Sequence, residues 1–294
     1  MHKKKVNIPN FLIHIFFILL CLCVLYPFWC IFSVSLTSQD EISRIGFSIF
    51  PQNATFESYE FVFGNLKPLL EAFATTVFVG VVGTVVGVFV CSSYAYALGR
   101  KNFPLRRILS FVAMFTMYFS GGMAASYIVN VSILNLKNNI LVLILPTAFS
   151  VMNVIIIRSF FEQLPYSLIE SAKLDGANEY TTYFRIMLPL AKPALATVAL
   201  TLFVQYWNSY YEAMMYMDTG HYVTLQLMLQ RMMEKVDFVK QFASTGMLSG
   251  LAADLPSEGM RMAMCMITVF PMLCVFPFFQ KYFVKGMAIG SVKG

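Results

Sequence analysis

The sequence predicts an all-α, polytopic membrane protein with about six transmembrane helices, and three observations carry that expectation. Of its 294 residues, 58% are hydrophobic and only 12% charged, whereas a soluble domain carries about 25% charged residues. Six apolar segments reach the roughly 20 residues that a helix needs to cross a bilayer. The basic residues collect on one side of the resulting topology, as they do in the inner loops of membrane proteins.

The segments follow in order. Phe11–Phe32 comes after His2-Lys3-Lys4-Lys5; it is too long for the apolar core of a signal peptide, and no small-x-small cleavage site follows Trp29, so it is read as a retained span. An outer loop of about 33–71 leads to the second span, Ala72–Leu98. There Gly80, Gly83 and Gly87 place small residues on neighbouring helical positions, a pattern read as intramolecular close packing rather than a dimer contact. Leu105–Val129, Asn139–Ile157 and Pro193–Met217 are the third to fifth spans. A second outer loop, about 218–259, carries Leu225, Met228, Leu229, Met232, Met233 and Val236 at helical spacing. That face fits a helix lying in the membrane interface or a Met-rich surface offered to an extracytoplasmic partner. Met260–Phe283 is the sixth span, with Pro271 and Pro277 each removing a backbone donor and predicting kinks. The layout is thus an N-terminus over 1–10, a transmembrane domain over 11–283 and a tail over 284–294. With the N-terminus inside, fourteen of the 21 Lys and Arg residues fall on the inner side. Both termini are therefore predicted cytoplasmic.

Several function classes find little material. The basic residues flank apolar segments instead of forming a patch, which argues against nucleic acid. Cys21, Cys23, Cys30, Cys91, Cys265 and Cys274 all lie in apolar runs without a Cys-x-x-Cys pair, so they are read as buried apolar fillers, not as disulfides or metal ligands. No Gly-Lys dipeptide exists for a phosphate-binding loop, and no His-Glu-x-x-His or Gly-x-Ser-x-Gly is present. No catalytic residues and no metal site are expected, and no cofactor is expected in this chain.

The inner side carries one compact, punctuated, charged element between Glu170 and Pro189, ESAKLDGANEYTTYFRIMLP, within an inner loop of about 158–192. Ser167 followed by Glu170 reads as a capping box that starts one short helix. Gly176 is a left-handed terminator for it. Asn178 caps a second helix, which is expected to end at Leu188-Pro189 because the residue before a proline avoids the helical region. Pro193 suits the first turn of the next span. Two helices of this kind, each about 12 Å long, are sized to lie across a membrane face and fit a groove in a partner. The plainer reading leaves Glu170 as a cap and Asp175 as a solvated loop residue.

These residues resemble a known family. Glu170, Ala172, Gly176, Ile186, Leu188 and Pro189 match the EAA loop of ABC importer permeases: Glu-Ala-Ala, three residues, Gly, nine residues, Ile-x-Leu-Pro. Ser171 in place of the first alanine is the one departure. The tail from Gln280 to Gly286 and its end Gly290–Gly294, the outer stretch Pro51 to Tyr59, and the pair Trp207-Asn208 look like the second permease of maltose-type carbohydrate importers. The branch handling complex oligosaccharides or polysaccharide fragments is the most similar.

The resemblance implies a type I importer fold in the plasma membrane of a prokaryote. It also implies a homologous second permease, two ATPase subunits that bind ATP and Mg, an extracytoplasmic solute-binding protein and a carbohydrate substrate. The segment from Ser167 to about Glu179 is then the coupling helix, with Glu170, Ser171, Ala172, Asp175, Gly176 and Ala177 as coupling residues. Trp207, Asn208, Tyr210, Tyr211 and Glu212 combine aromatic faces with hydrogen-bonding groups, as sugars require; an interfacial aromatic belt explains them equally. A permease for another solute such as a peptide stays open, as do, further off, a membrane enzyme and a scaffold.

Overall fold

The computed structural model describes residues 8–64, 66–100, 102–218, 221–243 and 258–290. The basic N-terminal cluster, the last four residues of the tail and much of the second outer loop lie outside them. Among the described residues the regular structure is helical. In order it comprises α1 (Ile8–Ser35), α2 (Gln39–Ile45), α3 (Glu57–Gly64), α4 (Leu66–Gly99), α5 (Arg106–Tyr118), α6 (Gly122–Ile128), α7 (Val151–Gln163) and α8 (Ser167–Leu174). These are followed by α9 (Glu179–Thr181), α10 (Leu188–Leu190), α11 (Lys192–Trp207), α12 (Tyr211–Tyr216), α13 (Leu225–Ala243) and α14 (Glu258–Gly290). A 3-10 turn at Ile140–Leu143 and π-helical stretches at Val129–Ile133 and Thr182–Met187 complete the set.

The expected count of about six spans is not matched by as many long continuous helices. Among the described residues three helices, α1, α4 and α14, are long and apolar enough to cross a membrane; Glu179–Leu190 and Lys192–Trp207 make a fourth candidate bent by 80°. The third expected span breaks after Tyr118, where Gly122 takes φ +74 and its N–H is accepted by Ser120 Oγ at 3.2 Å. The fourth starts as a 3-10 turn capped by Asn139, whose Oδ1 accepts the Leu141 N–H at 3.0 Å, and becomes an α-helix only at Val151. Pro146 lies between the two, with no N–H to continue a helical ladder. The fifth pauses at Asn208 before α12 resumes. The sixth is a single helix that continues through both Pro271 and Pro277.

The chain divides into two compact units, Met1–Leu69 with Leu229–Phe270, and Leu70–Met228 with Pro271–Gly294. In the first, the outer loop is an ordered structure. Glu41, on α2, accepts the backbone N–H groups of Gln52 and Asn53 at 2.8 and 3.0 Å. Trp29 Nε1 donates to the Ile49 carbonyl at 3.0 Å, and Thr37 bridges to Ala54. The stretch from Pro51 to Tyr59 is anchored at its far end by Tyr59, whose hydroxyl lies 2.8 Å from Ser35 Oγ.

The second unit has one core, built from α4, the 3-10 turn, α7, α8, α11 and α12. Its seam is the glycine row of α4. A β-carbon at Gly83 would stand 2.6 Å from the ring of Tyr206, and one at Gly87 would stand 2.8 Å from Leu202. These glycines therefore pack within the chain, as expected. Close approach matters here because lipid is as apolar as leucine, so helix pairing in a membrane rests on van der Waals fit and on hydrogen bonds. Tyr206 supplies both: it is fully buried, and its hydroxyl donates to the Ile144 carbonyl at 2.8 Å. The cysteines differ from expectation, since only Cys91 is buried and Cys21, Cys23 and Cys274 are exposed. On helices that cross a bilayer such exposed positions meet lipid, which an apolar thiol suits as well as a core does.

Candidate functional site

The site starts at the polar island, which is entirely within the second unit. α8 has Ile169 and Ala172 buried, three residues apart and so on one face. Its other side carries exposed Glu170 and Ser171, and Leu174 is 89% exposed. The expected capping box is not used: Tyr166 is the N-cap residue in helical conformation, its side chain makes no capping bond, and Ser167 already lies in the helix. The chain enters from Pro165 already turning, since the Leu168 N–H reaches the Pro165 carbonyl at 3.1 Å, so no extended residue is left to act as a cap.

The C-terminal end matches the expectation and adds detail. Gly176 takes φ +79. Its N–H bonds the Lys173 carbonyl at 3.0 Å, and the Ala177 N–H bonds the Ala172 carbonyl at 2.9 Å. Those two bonds make a full Schellman motif, which needs a residue free to adopt positive φ at that position. Asp175 is the exposed C-cap residue and Ala177 is half-buried. Asn178 Oδ1 then accepts the Thr181 N–H at 2.8 Å and starts α9. The helix does not end at Leu188-Pro189 as expected. It widens to a π-helix over Thr182–Met187, with the Leu188 N–H reaching back to the Tyr183 carbonyl, and runs on to Leu190. A proline ring clashes with the carbonyl four residues back, and the wider turn relieves that clash.

Two ties hold this segment to α4. Tyr183, in the π-helical stretch, has its hydroxyl 2.7 Å from Ser92 Oγ and 3.1 Å from Ser93 Oγ. Glu179 is the second tie: it accepts from the Tyr96 hydroxyl at 2.6 Å and from Arg100 Nε at 3.0 Å, with Arg100 Nη2 also bonded, and Lys173 Nζ stands 3.5 Å away. The Arg100 guanidinium lies over the Tyr96 ring, 5.0 Å from its centre. Partial burial works against ionisation of Glu179. The bonds from Tyr96 and Arg100 and the charges of Arg100 and Lys173 outweigh it and hold the carboxyl below the usual carboxylate range. Nearby, Glu162 accepts from Arg158 Nε at 2.8 Å and has Arg106 at 3.8 Å. Sequence reasoning counted Arg100 only as an inner cation and passed over Tyr96. The available signal was their four-residue spacing at the end of a span, which puts both on one helical face.

The five candidate solute residues do not form one open surface. Trp207 is only 3% exposed, set edge-on to Phe73 and packed against Phe203. Asn208 is exposed and accepts from Gln226 Nε2 at 3.1 Å. Tyr210 and Tyr211 are exposed, and Glu212 accepts from Ser209 Oγ. In the amphipathic helix α13, Leu225 is buried, while Met228, Leu229, Met232 and Met233 are half-buried. The side chain of Val236 lies outside the described residues.

The chain is 38% identical over 91% of its length, and 89% of the other's, to Protein LplC of Bacillus subtilis. It is 35% identical over 99% of its length to all of the polygalacturonan/rhamnogalacturonan transport system permease protein YtcP from the same organism. Among solved structures it resembles a chain of a bacterial ABC transporter involved in the import of the acidic polysaccharide alginate. That match has a TM-score of 0.79 and 30% identity, covering 96% of this chain and 99% of the other. The sequence model of the binding-protein-dependent transport system inner membrane component family matches residues 89–289, which takes in α8, its Schellman turn and the Glu179 cluster, and this chain belongs to that family.

Proposed function

We propose that this chain is a permease subunit of an ATP-driven importer that moves an oligosaccharide into the cytoplasm by alternating access. The observation that carries the reading is α8 itself: a short helix seated by Ile169 and Ala172, stopped by a Schellman turn, and presenting Leu174 and Glu170 outward. Burying a side chain like Leu174 in a partner's groove is worth about 1.5–3 kcal/mol, enough to anchor a joint that must also move. The carbohydrate assignment rests on the relatives, three of which carry poly- or oligosaccharide transport in their names or descriptions.

On this reading Glu170, Ser171, Ala172, Asp175, Gly176 and Ala177 form the joint with an ATPase. Two ATPase subunits bind ATP and Mg, a homologous permease completes the pathway, and an extracytoplasmic binding protein delivers the sugar. The chain crosses the plasma membrane of a prokaryote with both termini cytoplasmic. Asn208, Tyr210, Tyr211 and Glu212 are the groups able to meet solute without repacking, and Trp207 supports them from within. Nucleotide and sugar act by favouring one of two states of the bundle.

The test is mild solubilisation of the tagged chain from its native membrane, followed by mass spectrometry of what accompanies it. Recovery of a second permease and an ATPase is expected, with ATP hydrolysis stimulated by an oligosaccharide and its binding protein. Glu170→Lys is expected to insert normally and abolish transport; transport at the wild-type rate removes the coupling assignment. Stimulation by peptides and not by sugars overturns the carbohydrate assignment alone.

A further inference from the structure

We propose that Glu179, Tyr96 and Arg100 form a latch that makes the coupling helix and α4 move as one body, with Glu179 as its positioning residue. The proposal rests on the permease reading above and adds to it a means of passing force inward. α8 by itself is a poor lever. It buries only Ile169 and Ala172, and the chain reverses at Gly176 directly after it. Force delivered to Leu174 would rotate α8 about Gly176 unless the two sides of the turn were fixed to something stiff.

Glu179 supplies that fixing. It is the first residue of α9, just beyond the turn, and its carboxylate joins Tyr96 of α4 and Arg100, the residue that follows α4, to Lys173 of α8. The bonds are charge-assisted, so they are shorter and stronger than neutral ones. The Arg100 side chain is 14% exposed and that of Glu179 55%, so the pair is sheltered from water on the Arg100 side only, and its hold rests on the combined bonds to Tyr96 and Arg100. Tyr96 is in turn wedged between Phe161 and Tyr183, with ring centres at 6.3 and 5.1 Å. From there the stiff element is α4, whose glycine row engages Tyr206 and Leu202 of α11. A displacement of α8 thus arrives in the middle of the bundle without depending on the loop between them. None of the three latch residues belongs to the motif positions of the EAA loop.

The first measurement uses the full chain alone in lipid nanodiscs, with spin labels on unnatural amino acids at positions 99 and 174. A side chain at Gly99 meets nothing within 4 Å, and Leu174 is exposed. One narrow distance distribution is expected for the wild type, broader ones for Glu179→Ala and Arg100→Glu, and a narrow one again for the swap Arg100→Glu with Glu179→Arg. Equal widths in all four overturn the latch. The second measurement reads sugar imported per ATP hydrolysed by the complete importer in proteoliposomes. Glu179→Ala is expected to lower that ratio about tenfold while hydrolysis is retained, and the swap to recover it. An unchanged ratio, or transport and hydrolysis falling in parallel, overturns the coupling role. If the wild-type assembly imports no carbohydrate, the permease reading fails on its own, and the label distances still decide the latch.

Discussion

Gly83→Ala tests the packing that holds the second unit together. The added β-carbon would stand 2.6 Å from Tyr206 Cζ, about 1 Å inside the 3.5–4.0 Å at which carbon atoms attract. Tyr206 has nowhere to retreat, being buried with its hydroxyl on the Ile144 carbonyl at 2.8 Å. Overpacking of this kind costs about 1–3 kcal/mol, and losing the tyrosine's hydrogen bond adds about 1 kcal/mol. Alanine returns about 1 kcal/mol through its better helix propensity, so the net loss expected is about 1–3 kcal/mol. SDS titration of the chain in mixed micelles, followed by circular dichroism, reads that loss directly. Gly64→Ala is the control: nothing lies within 4 Å of its added methyl, and its stability should match the wild type or exceed it slightly. Tyr206→Leu in the Gly83→Ala background should cost less than the two changes summed. A Gly83→Ala chain that unfolds at the wild-type SDS fraction, or strict additivity in the pair, refutes the argument.

Two further outcomes follow from the site. Trp207→Ala should destabilise the chain by about 3–5 kcal/mol, with the order of preference among transported sugars unchanged; altered preference at normal stability would put its ring in contact with solute. The latch should be insensitive to pH across the neutral range. The carboxyl of Glu179 faces Tyr96 on α4, Arg100 just after it and Lys173 on α8, and its pKa is lowered on folding. Its stabilisation is then complete above the unfolded value of about 4.3 and disappears only as pH falls through the lower folded value. The label distance distribution of the wild type should stay narrow down to about pH 5 and broaden below the ordinary carboxylate range, while Glu179→Gln should not change over the same interval.

Much of the polar island was legible because its signals are local. Gly176 and Asn178 act through their own backbone and nearest neighbours, and both do what their residue types dictate. Glu170 and Ser167 also form a local pattern, but the turn through Pro165 had already removed the extended residue that a capping box needs. The spans were legible as apolar content and not as continuous helices. Residues 139–157 are apolar enough to count as a span, yet Val142 and Leu143 of the 3-10 turn and Ile144 just after it are buried in the core. Hydropathy cannot tell a core segment from a membrane helix. The Glu179 cluster was hidden for a different reason: Tyr96 and Glu179 are 83 positions apart, and only the packing of α9 against the end of α4 brings them together. Trp207 shows the converse, since an aromatic beside polar residues reads as a binding face until its ring is found packed against Phe73 and Phe203.

The 3-10 segment bears on how the chain is made. Ile144 and Ala148, which follow it, are among the buried core residues, and a buried carbonyl left without a partner costs several kcal/mol. The Ile144 carbonyl is taken by Tyr206, 62 residues further along the chain, and the Ala148 carbonyl by the Cys91 thiol, 57 residues earlier, at 3.5 Å. During synthesis this stretch therefore emerges before one of its partners exists. Until α11 is made, the Ile144 carbonyl lacks the tyrosine hydroxyl that covers it in the finished fold. A chain stalled or truncated between Ile144 and Tyr206 presents that uncovered backbone, which makes this interval the point at which a membrane quality-control protease would recognise an unfinished molecule.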